Sequence, residues 1–228
     1  MCQTFGIYGV HPSLKILDCP SRSSGRSKGW GPRAKIWQNA LELSFRQAWR
    51  RSPEKALESG SVEIVGNRDG LCFCVKLQDN WIWTRARKRN QLLCTRGDTL
   101  EIFIGQHGQP SYLEFHIAPN GTLLQLRWPD ADSVETTRKE TDLKQFTFVD
   151  NTFRFRVGRR TKGWWVCGLL PFASISGNEP CSRDLGWDLH FARYDYGKDR
   201  KSRILSSTAP LRRPFFHRRN EWNHVRLV

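Results

Sequence analysis

Apolar and polar residues alternate along many short segments of the chain, and residues 99–105 show the pattern clearly. Leu100, Ile102 and Ile104 would share one side of an extended strand there, because successive side chains of a strand point to opposite faces. Segments of this kind recur about a dozen times at close spacing, with no long amphipathic helix between them. The pattern therefore predicts an all-β protein, an antiparallel β-sandwich of jelly-roll-like or immunoglobulin-like type.

Turn residues separate these segments and indicate which of them pair. The sequence Asn-Arg-Asp-Gly at residues 67–70 predicts one reversal, and Pro-Asn-Gly at residues 119–121 predicts a tight hairpin. Asparagine and glycine adopt the left-handed backbone that such turns need. The segment QFTFVD at residues 145–150 is predicted to be a strand that returns through Asp150 and Asn151 into TFRFRVG.

The N-terminal part of the chain differs in composition from the rest. Residues 20–33 are rich in serine, glycine and arginine, which predicts a flexible loop after a loosely attached strand. We divide the chain into this N-terminal strand and loop, residues 1–33, and a single sandwich domain, residues 34–228. No basic start followed by an apolar segment is visible, and no apolar run has the length of a membrane span. These observations predict a cytoplasmic protein with no membrane partner.

Polar side chains line up on the side of the predicted strands opposite to the core. Tyr112, Glu114 and His116 would project together from one strand, and Glu101 and His190 from two others. A concave sheet face of this composition suits a sugar, because acids and histidine pair with hydroxyl groups while an aromatic side chain supports the sugar ring. Several contacts must converge, since each contributes only about 0.5–1.5 kcal/mol. The alternative is an ordinary solvated face, which antiparallel sheets commonly have.

The charge of the chain raises a second hypothesis. Thirty-seven lysine and arginine residues against 22 acidic residues give a net charge of +15, which attracts polyanions such as nucleic acid or acidic polysaccharide. Trp81 and Trp83 precede the basic run Arg85–Arg89, and aromatic residues beside arginine can stack on bases. The competing interpretation, which we favour, places both tryptophans in the core and the basic run in a solvated loop.

Other chemistries receive less support from the sequence. Glu101 and Glu114 lie on adjacent predicted strands and could serve as the two carboxylates of a glycoside hydrolase, but facing acids are common in sheets. We therefore predict no enzymatic activity. The seven cysteines show no metal-binding spacing, so we predict no metal site, and their odd number favours small buried thiols over a fully paired secreted framework.

Four motifs occur in an order that resembles carbohydrate-binding module family 9, a family related to the DOMON-type β-sandwiches. They are GDTLEIFIG at 97–105, YLEFHIAPNGTL at 112–123, WWVCGLLPF at 164–172 and WDLHFARYDY at 187–196, and HVRLV closes the chain. The resemblance covers about residues 60–228. It implies a β-sandwich that recognises a sugar terminus or a short glycan on a sheet face, without catalysis. It also implies a secreted or periplasmic location. The sequence itself predicts no cofactor, whereas the resemblance implies bound calcium.

The resemblance also implies roles for individual residues. Asp98 and Glu101 occupy the acidic positions of the first motif, and Arg193 lies near the family's Asn-x-x-Arg position. His116 stands where the family has an arginine that contacts sugar, and His190 stands where it has an amide. With Tyr112 and Glu114 from the polar face, these residues form the predicted ligand-binding set.

The chain departs from the family at three positions. The family holds sugar between two exposed tryptophans, and the segment before the first motif, NQLLCTRGD, has no aromatic residue. In the loop before the last strand, Phe215, Phe216 or Trp222 would replace the second tryptophan. Cys167 stands where the family has an acid.

Overall fold

Two stacked β-sheets form the protein in the computed structural model, which describes residues 13–14, 31–67, 69–137, 139–176 and 186–227. The antiparallel β-sandwich predicted from the sequence is therefore confirmed. The strands in the described part of the chain are β1 Ser13–Leu14, β2 Leu41–Ser44, β3 Gly60–Gly66, β4 Gly70–Leu77, β5 Thr99–Gln106, β6 Tyr112–Ile117, β7 Leu123–Trp128, β8 Arg154–Arg160, β9 Gly163–Pro171, β10 Trp187–Tyr196, β11 Arg203–Ser207 and β12 Asn223–Leu227.

The larger sheet has seven strands and the smaller sheet has five. The order in the larger sheet is β1-β12-β10-β5-β6-β7, with β11 also paired to β10, and the order in the smaller sheet is β2-β3-β4-β9-β8. Neighbouring strands are antiparallel, except that β1 runs parallel to β12. Strands β5, β6 and β10, which carry most of the predicted site, are central neighbours in the larger sheet.

The main core lies between the two sheets and follows the predicted alternation. Leu100, Ile102 and Ile104 of β5 face the smaller sheet, as do the apolar residues of β6 and β10. Phe73 of β4 packs against Phe191 of β10 with ring centroids 5.8 Å apart. Burial of this set removes apolar surface from water at roughly 25 cal/mol per Å², which makes it the main stabilising contribution.

The opposite face of the larger sheet is covered by the protein's own chain, and this corrects the sequence analysis. We expected an open, concave polar face, but a second apolar cluster lies on it. Phe103, Leu126 and Trp128 from the sheet pack there with residues of three connecting segments, at 79–98, 129–147 and 208–222. The polar side chains on this face are therefore mostly buried.

Two local predictions were wrong. QFTFVD forms no strand: Gln145 and Phe146 end a 3-10 helix, and Thr147 makes only an isolated bridge to Leu126. Asp150 does not close a hairpin; its carboxylate accepts hydrogen bonds from the backbone N–H and hydroxyl of Thr152. Strand β11 was not predicted. The reversals at residues 67–70 and 119–121 are confirmed, with Gly121 at a φ of +82°.

Short helices connect the strands in the described residues. The two α-helices are α1 Asp132–Thr136 and α2 Phe172–Ser176, and the 3-10 helices are Lys35–Asn39, Leu93–Thr95, Glu140–Phe146 and Arg219–Glu221. The helix at 35–39 packs Trp37 on the outer face of the smaller sheet, beside Cys74 and Cys167. These two cysteines form a disulfide, so the expectation of free thiols was wrong for them.

The remaining predictions about organisation concern the chain ends. Strand β1 agrees with an N-terminal strand, but most of the predicted flexible loop falls outside the described residues, and the division at residue 33 stays a prediction. Among the residues that the structure describes, every helix is too short or too polar to cross a bilayer.

Candidate functional site

A small cavity lies between the outer face of the larger sheet and the segments that cover it. Its volume is about 210 Å³. The lining residues come from β5, β6, β7, β10 and the covering segments: Leu92, Cys94, Glu101, Glu114, His116, Leu126, Trp128, Val134, Thr137, Lys139, Glu140, Leu143, Tyr194 and His217. Three of the predicted ligand-binding residues, Glu101, Glu114 and His116, are among them.

These three side chains form a continuous chain of polar contacts at the base of the cavity. Strand register places His116 of β6 directly opposite Glu101 of β5, and Glu114 follows on the same face of β6. His116 Nδ1 lies 3.2 Å from Glu101 Oε1, and His116 Nε2 hydrogen-bonds Glu114 Oε1 at 2.5 Å. Each of the three residues is at most 3 % exposed.

Glu114 is held by neighbours on every side. The indole N–H of Trp128 donates a hydrogen bond to its Oε2 at 2.5 Å, and Nε2 of His217 lies 3.9 Å from the same oxygen. His217 Nδ1 in turn shares a hydrogen bond of 2.8 Å with the hydroxyl of Tyr112. Tyr112 therefore supports the site through His217 and does not line the cavity, which corrects its predicted role as a ligand contact.

Burial and these contacts shift the pKa values of the three residues at the bottom of the cavity. Burial alone would raise the pKa of Glu114, but His217, His116 and the two hydrogen bonds outweigh it and lower the pKa to about 2. Burial also raises the pKa of Glu101, to about 7, although His116 opposes it. Burial would lower the pKa of His116, but the two flanking carboxylates raise it well above the ordinary value. The two flanking carboxylates thus favour the protonated form of the His116 ring.

The walls of the cavity are apolar and aromatic, and its mouth is charged. Leu126 and Leu143 lie on the walls with the ring of Tyr194, while the exposed side chains of Lys139 and Glu140 lie at the mouth. Glu140 is fixed there by the guanidinium of Arg96 at 3.0 Å. An apolar lining with few convergent polar groups is the usual composition of a small-molecule site.

A short loop brings Cys94 to the edge of the base. Cys94 lies in the 3-10 helix Leu93–Thr95, and the hydroxyl of Tyr196 donates a hydrogen bond of 2.7 Å to its carbonyl oxygen. Gly97 then turns the chain into β5 with a φ of +131°, and a Cβ there would lie 2.5 Å from the carbonyl oxygen of Trp83. Glycine is thus required for the close approach that sets this loop.

Asp98 lies outside the cavity and has a structural role. Its carboxylate is fully buried and accepts hydrogen bonds from the backbone N–H groups of Trp83, at 2.5 Å, and Tyr196, at 2.8 Å. Burial and the nearby Asp79 raise its pKa to about 8. The Asp98 side chain thus joins the loop before β5 to the end of β10. It lies away from the cavity, where the predicted ligand contact would have placed it.

Arg193 is likewise buried away from the cavity. Its guanidinium lies 3.1 Å from Asp195, 3.4 Å from Asp79 and 3.9 Å from Glu58. The side chain is 1 % exposed. The predicted contact with a sugar is replaced by a charge cluster inside the protein.

His190 lies on the predicted face but is enclosed by the segment at 208–222. Its Nδ1 hydrogen-bonds Ser207 Oγ at 2.9 Å, its Nε2 lies 3.0 Å from the carbonyl oxygen of Phe216, and its ring stacks on Phe103 at 4.5 Å. Burial lowers its pKa to about 3. His190 is therefore neutral and has no free position for a ligand, in contrast to its predicted role.

We expect His190 to make folding sensitive to acid. Unfolded histidine binds a proton near pH 6.5, whereas folded His190 does so only near pH 3, so the unfolded state binds more protons between these values. Stability should fall as the pH falls, and the His190 contribution between pH 7 and pH 4 is roughly 3 kcal/mol. Urea unfolding at both pH values measures it.

The control for this measurement is His190→Gln, which keeps an amide donor for the Phe216 carbonyl and does not titrate. Subtracting the free energy of unfolding of the variant from that of the wild type removes the contributions of Glu114 and His217, the titratable groups that face His190. An equal stability difference between the two proteins at pH 7 and pH 4 would refute the prediction.

Sequence reasoning missed eleven of the fourteen lining residues, and five of these are Cys94, Trp128, Lys139, Tyr194 and His217. Strand alternation gives the correct face for Trp128 and Tyr194, because both share a face with predicted site residues of β6 and β10. The other three lie in connecting segments. Their positions depend on how those segments fold across the sheet, for which the local sequence has no signal.

Three groups of potential metal-ligating side chains occur among the described residues: Cys94 with Glu101 and His116, His107 with Asp188 and His224, and Glu58 with Asp79 and Asp195. The last group is the acidic one that calcium would prefer. The Arg193 guanidinium already lies against all three of its carboxylates, so this group does not fit calcium. Calcium stays an implication of the family resemblance.

Comparison with solved structures shows the same fold in carbohydrate-binding proteins. A carbohydrate-binding module of family 9 from Caldicellulosiruptor kristjanssonii in complex with cellotriose matches with a TM-score of 0.58 and 10 % identity, over 95 % of this chain and 93 % of that one. The same kind of module in complex with glucose matches with a TM-score of 0.53 and 11 % identity, over 95 % and 96 % of the two chains.

A third structure is that of a protein from Bacteroides uniformis described as a "putative carbohydrate-binding protein". It matches with a TM-score of 0.67 and 15 % identity, over 96 % of this chain and all of that one. Comparisons with protein-family models and with curated protein sequences find no match. The fold resembling family 9 is thus shown by structure.

Proposed function

We propose that this protein is a non-catalytic carbohydrate-binding domain that holds a sugar terminus in the cavity above Glu101, His116 and Glu114. The observation that carries this proposal is the cavity itself, with a polar base and apolar walls, on a fold shared with carbohydrate-binding modules. The site differs from the one expected from sequence because it is a small pocket between the sheet and its covering segments.

The chemistry of the cavity matches a single sugar ring. Its volume of about 210 Å³ corresponds to roughly seven waters of liquid. Glu101 accepts hydrogen bonds from hydroxyl groups, His217 can donate or accept, and the Tyr194 ring offers an apolar surface, while Glu114 holds His116 in place. The charged mouth at Lys139 and Glu140 would contact the next unit of a glycan.

Phe215 is the candidate to replace one of the exposed tryptophans of family 9. It is 40 % exposed and lies beside His217, with ring centroids 5.4 Å apart. An exposed aromatic ring next to a pocket supplies a stacking surface at low entropic cost. Phe216 and Trp222, the other two candidates, are buried between the larger sheet and the segments that cover it.

The contacts of the two carboxylates support binding over hydrolysis. The ring of His116 lies between Glu101 and Glu114, so no space remains between them for a glycosidic bond and water. Solved neighbours of the same fold bind cellotriose or glucose, which makes gluco-configured sugars the first ligands to test.

Blocking the cavity should remove sugar binding without disturbing the buried charges. Val134 lies on the short helix α1 at the cavity lining and is only half-buried. We expect Val134→Trp to fill the cavity and weaken binding of glucose or cello-oligosaccharides at least about tenfold. Isothermal titration calorimetry over a millimolar range of sugar measures the change.

The matched control is Val149→Trp, because Val149 is 66 % exposed and does not line the cavity. It should bind as the wild type does. Absence of any sugar binding by the wild type on a broad glycan array and in calorimetry would overturn the proposal, as would unchanged affinity in Val134→Trp.

The polyanion hypothesis stays a prediction. Trp81 is 41 % exposed, so its expected place in the core was wrong, and the ammonium of Lys198 lies 5.6 Å from its ring centroid. The three structural neighbours described above are named for carbohydrate binding. Binding of heparin or an oligonucleotide that weakens steeply with salt would support the hypothesis.

A further inference from the structure

Three side chains of metal-binding type converge at the base of the cavity. Cys94 from the loop before β5, Glu101 from β5 and His116 from β6 place a sulfur, a carboxylate oxygen and an imidazole nitrogen within 4.8 Å of one another. Glu101 and His116 are buried, and Cys94 is partly buried. A thiolate, an imidazole and a carboxylate are the donor types that bind zinc in proteins.

A buried nitrogen that lacks a well-aligned hydrogen bond points into this group. Nδ1 of His116 is completely buried and makes no well-aligned hydrogen bond among the described residues, although Glu101 Oε1 is only 3.2 Å away and the Cys94 thiol is also within reach. The two atoms are close enough for a hydrogen bond but are not aligned for one. Buried polar atoms in proteins nearly always make good hydrogen bonds, so the poorly aligned contacts of Nδ1 with its two neighbours indicate a ligand that all three would share.

The other side of the His116 ring is anchored as metal-ligating histidines are. Nε2 hydrogen-bonds Glu114, and Glu114 accepts a second hydrogen bond from the indole of Trp128. A carboxylate behind the histidine fixes the ring orientation and increases the basicity of the ligating nitrogen. This arrangement leaves Nδ1, which lies 3.2 Å from Glu101 Oε1, as the ligand atom.

We propose that Cys94, Glu101 and His116 bind a divalent transition metal of the zinc type, with a fourth coordination position open to the cavity. The metal takes the place of the thiol proton of Cys94 and the Nδ1 proton of His116, and both protons are released to solvent on binding. Sulfur and nitrogen donors select zinc or its neighbours over calcium and magnesium, which prefer oxygen ligands. Three protein ligands with one open position leave room for water or a ligand oxygen. The proposal goes beyond sugar binding and does not depend on it.

Cobalt(II) is the probe, because it takes the place of zinc and gives a sulfur-to-metal charge-transfer absorption when a thiolate binds it. The full-length chain, treated with chelator and kept reduced, is titrated with cobalt in the absence of sugar. We expect one ion per chain with a thiolate charge-transfer band, and displacement of that ion by zinc.

Three variants test which residues bind the metal. Cys94→Ser should abolish the charge-transfer band and weaken zinc binding by more than about 100-fold. Loss of a residue that only hydrogen-bonds a ligand already lowers metal affinity about 10–100-fold, and loss of a ligand itself should lower it more. Glu101→Gln, which keeps the side-chain shape, should also weaken binding. Cys72→Ala is the matched control, because Cys72 lies on the outer face of the smaller sheet, and it should bind as the wild type does.

Variants that fail to fold would be recognised by circular dichroism, and the wild type then provides the test. Zinc should protect Cys94 from alkylation, read out by mass spectrometry of its peptide. The proposal is overturned if folded wild type shows no thiolate band, if Cys94→Ser retains the band, or if zinc leaves alkylation of Cys94 unchanged. Because no sugar is present, none of these outcomes bears on carbohydrate binding.

Discussion

Replacing Arg193 with methionine is expected to destabilise the fold by about 3–5 kcal/mol, because it removes one partner of a buried charge cluster. The guanidinium lies within 3.9 Å of Glu58, Asp79 and Asp195, and the side chains of Asp79 and Asp195 are at most 10 % exposed. Methionine fills most of the volume but leaves the carboxylates without a cation. Urea unfolding at pH 8 measures the loss.

The pH dependence of this variant follows from the acids that remain. Burial already raises the pKa of Asp195 to about 7 against the opposing effect of Arg193, and it raises the pKa of Asp79 as well. Without Arg193 both pKa values should rise further. When the pKa of an acid is higher in the folded than in the unfolded protein, the free energy of unfolding falls as the pH rises. Arg193→Met should therefore lower the free energy of unfolding more at pH 8 than at pH 5.

Arg154→Met is the matched control, because Arg154 is exposed on β8 of the smaller sheet. A substitution at such a surface position usually changes stability by less than about 0.5 kcal/mol. A loss below about 1 kcal/mol for Arg193→Met, or a loss equal to that of the control, would show that the cluster does not require its cation.

The disulfide between Cys74 and Cys167 is expected to contribute about 2–4 kcal/mol to the free energy of unfolding. It joins residues 93 positions apart, on β4 and β9, which pair directly in the smaller sheet. Closing so long a loop restricts the unfolded chain, which is the main origin of the stabilisation. The double variant Cys74→Ala/Cys167→Ala should lose this contribution.

A reducing agent provides the internal control for the disulfide. It should lower the unfolding midpoint of the wild type towards that of the double variant and leave the midpoint of the variant unchanged. Equal midpoints of the wild type with and without reductant would contradict the prediction. In a reducing compartment the chain should have the lower stability, because disulfides persist in oxidising environments.

Much of the sandwich was predictable because strand alternation is a local property. Leu100, Ile102 and Ile104 face the core as their spacing predicts, and the strand at 187–196 has the predicted bounds. The prediction failed at QFTFVD, whose alternation of Phe146 and Phe148 is equally regular. There the segment leaves the sheet to cover it, so a tertiary contact outweighs local β-propensity.

The candidate site was predictable only in part, for a related reason. Alternation placed Glu101, Glu114 and His116 together because they lie on paired central strands. The same rule placed His190 on that face and could not show that Ser207 and Phe216 would occupy its two ring nitrogens. Burial by a distant segment decides whether a polar side chain is available to a ligand.

By itself the sequence determined most of the strands, the side of those strands that enters the core, and the placement of two carboxylates and a histidine on one sheet face. These follow from the two-residue period of the extended chain and from the chemistry of its turns. Only the tertiary structure decided that three connecting segments would cover that face, leave a small cavity, and bring Cys94 and His217 to it. Such placement depends on contacts between residues far apart in the chain, and no local period encodes them.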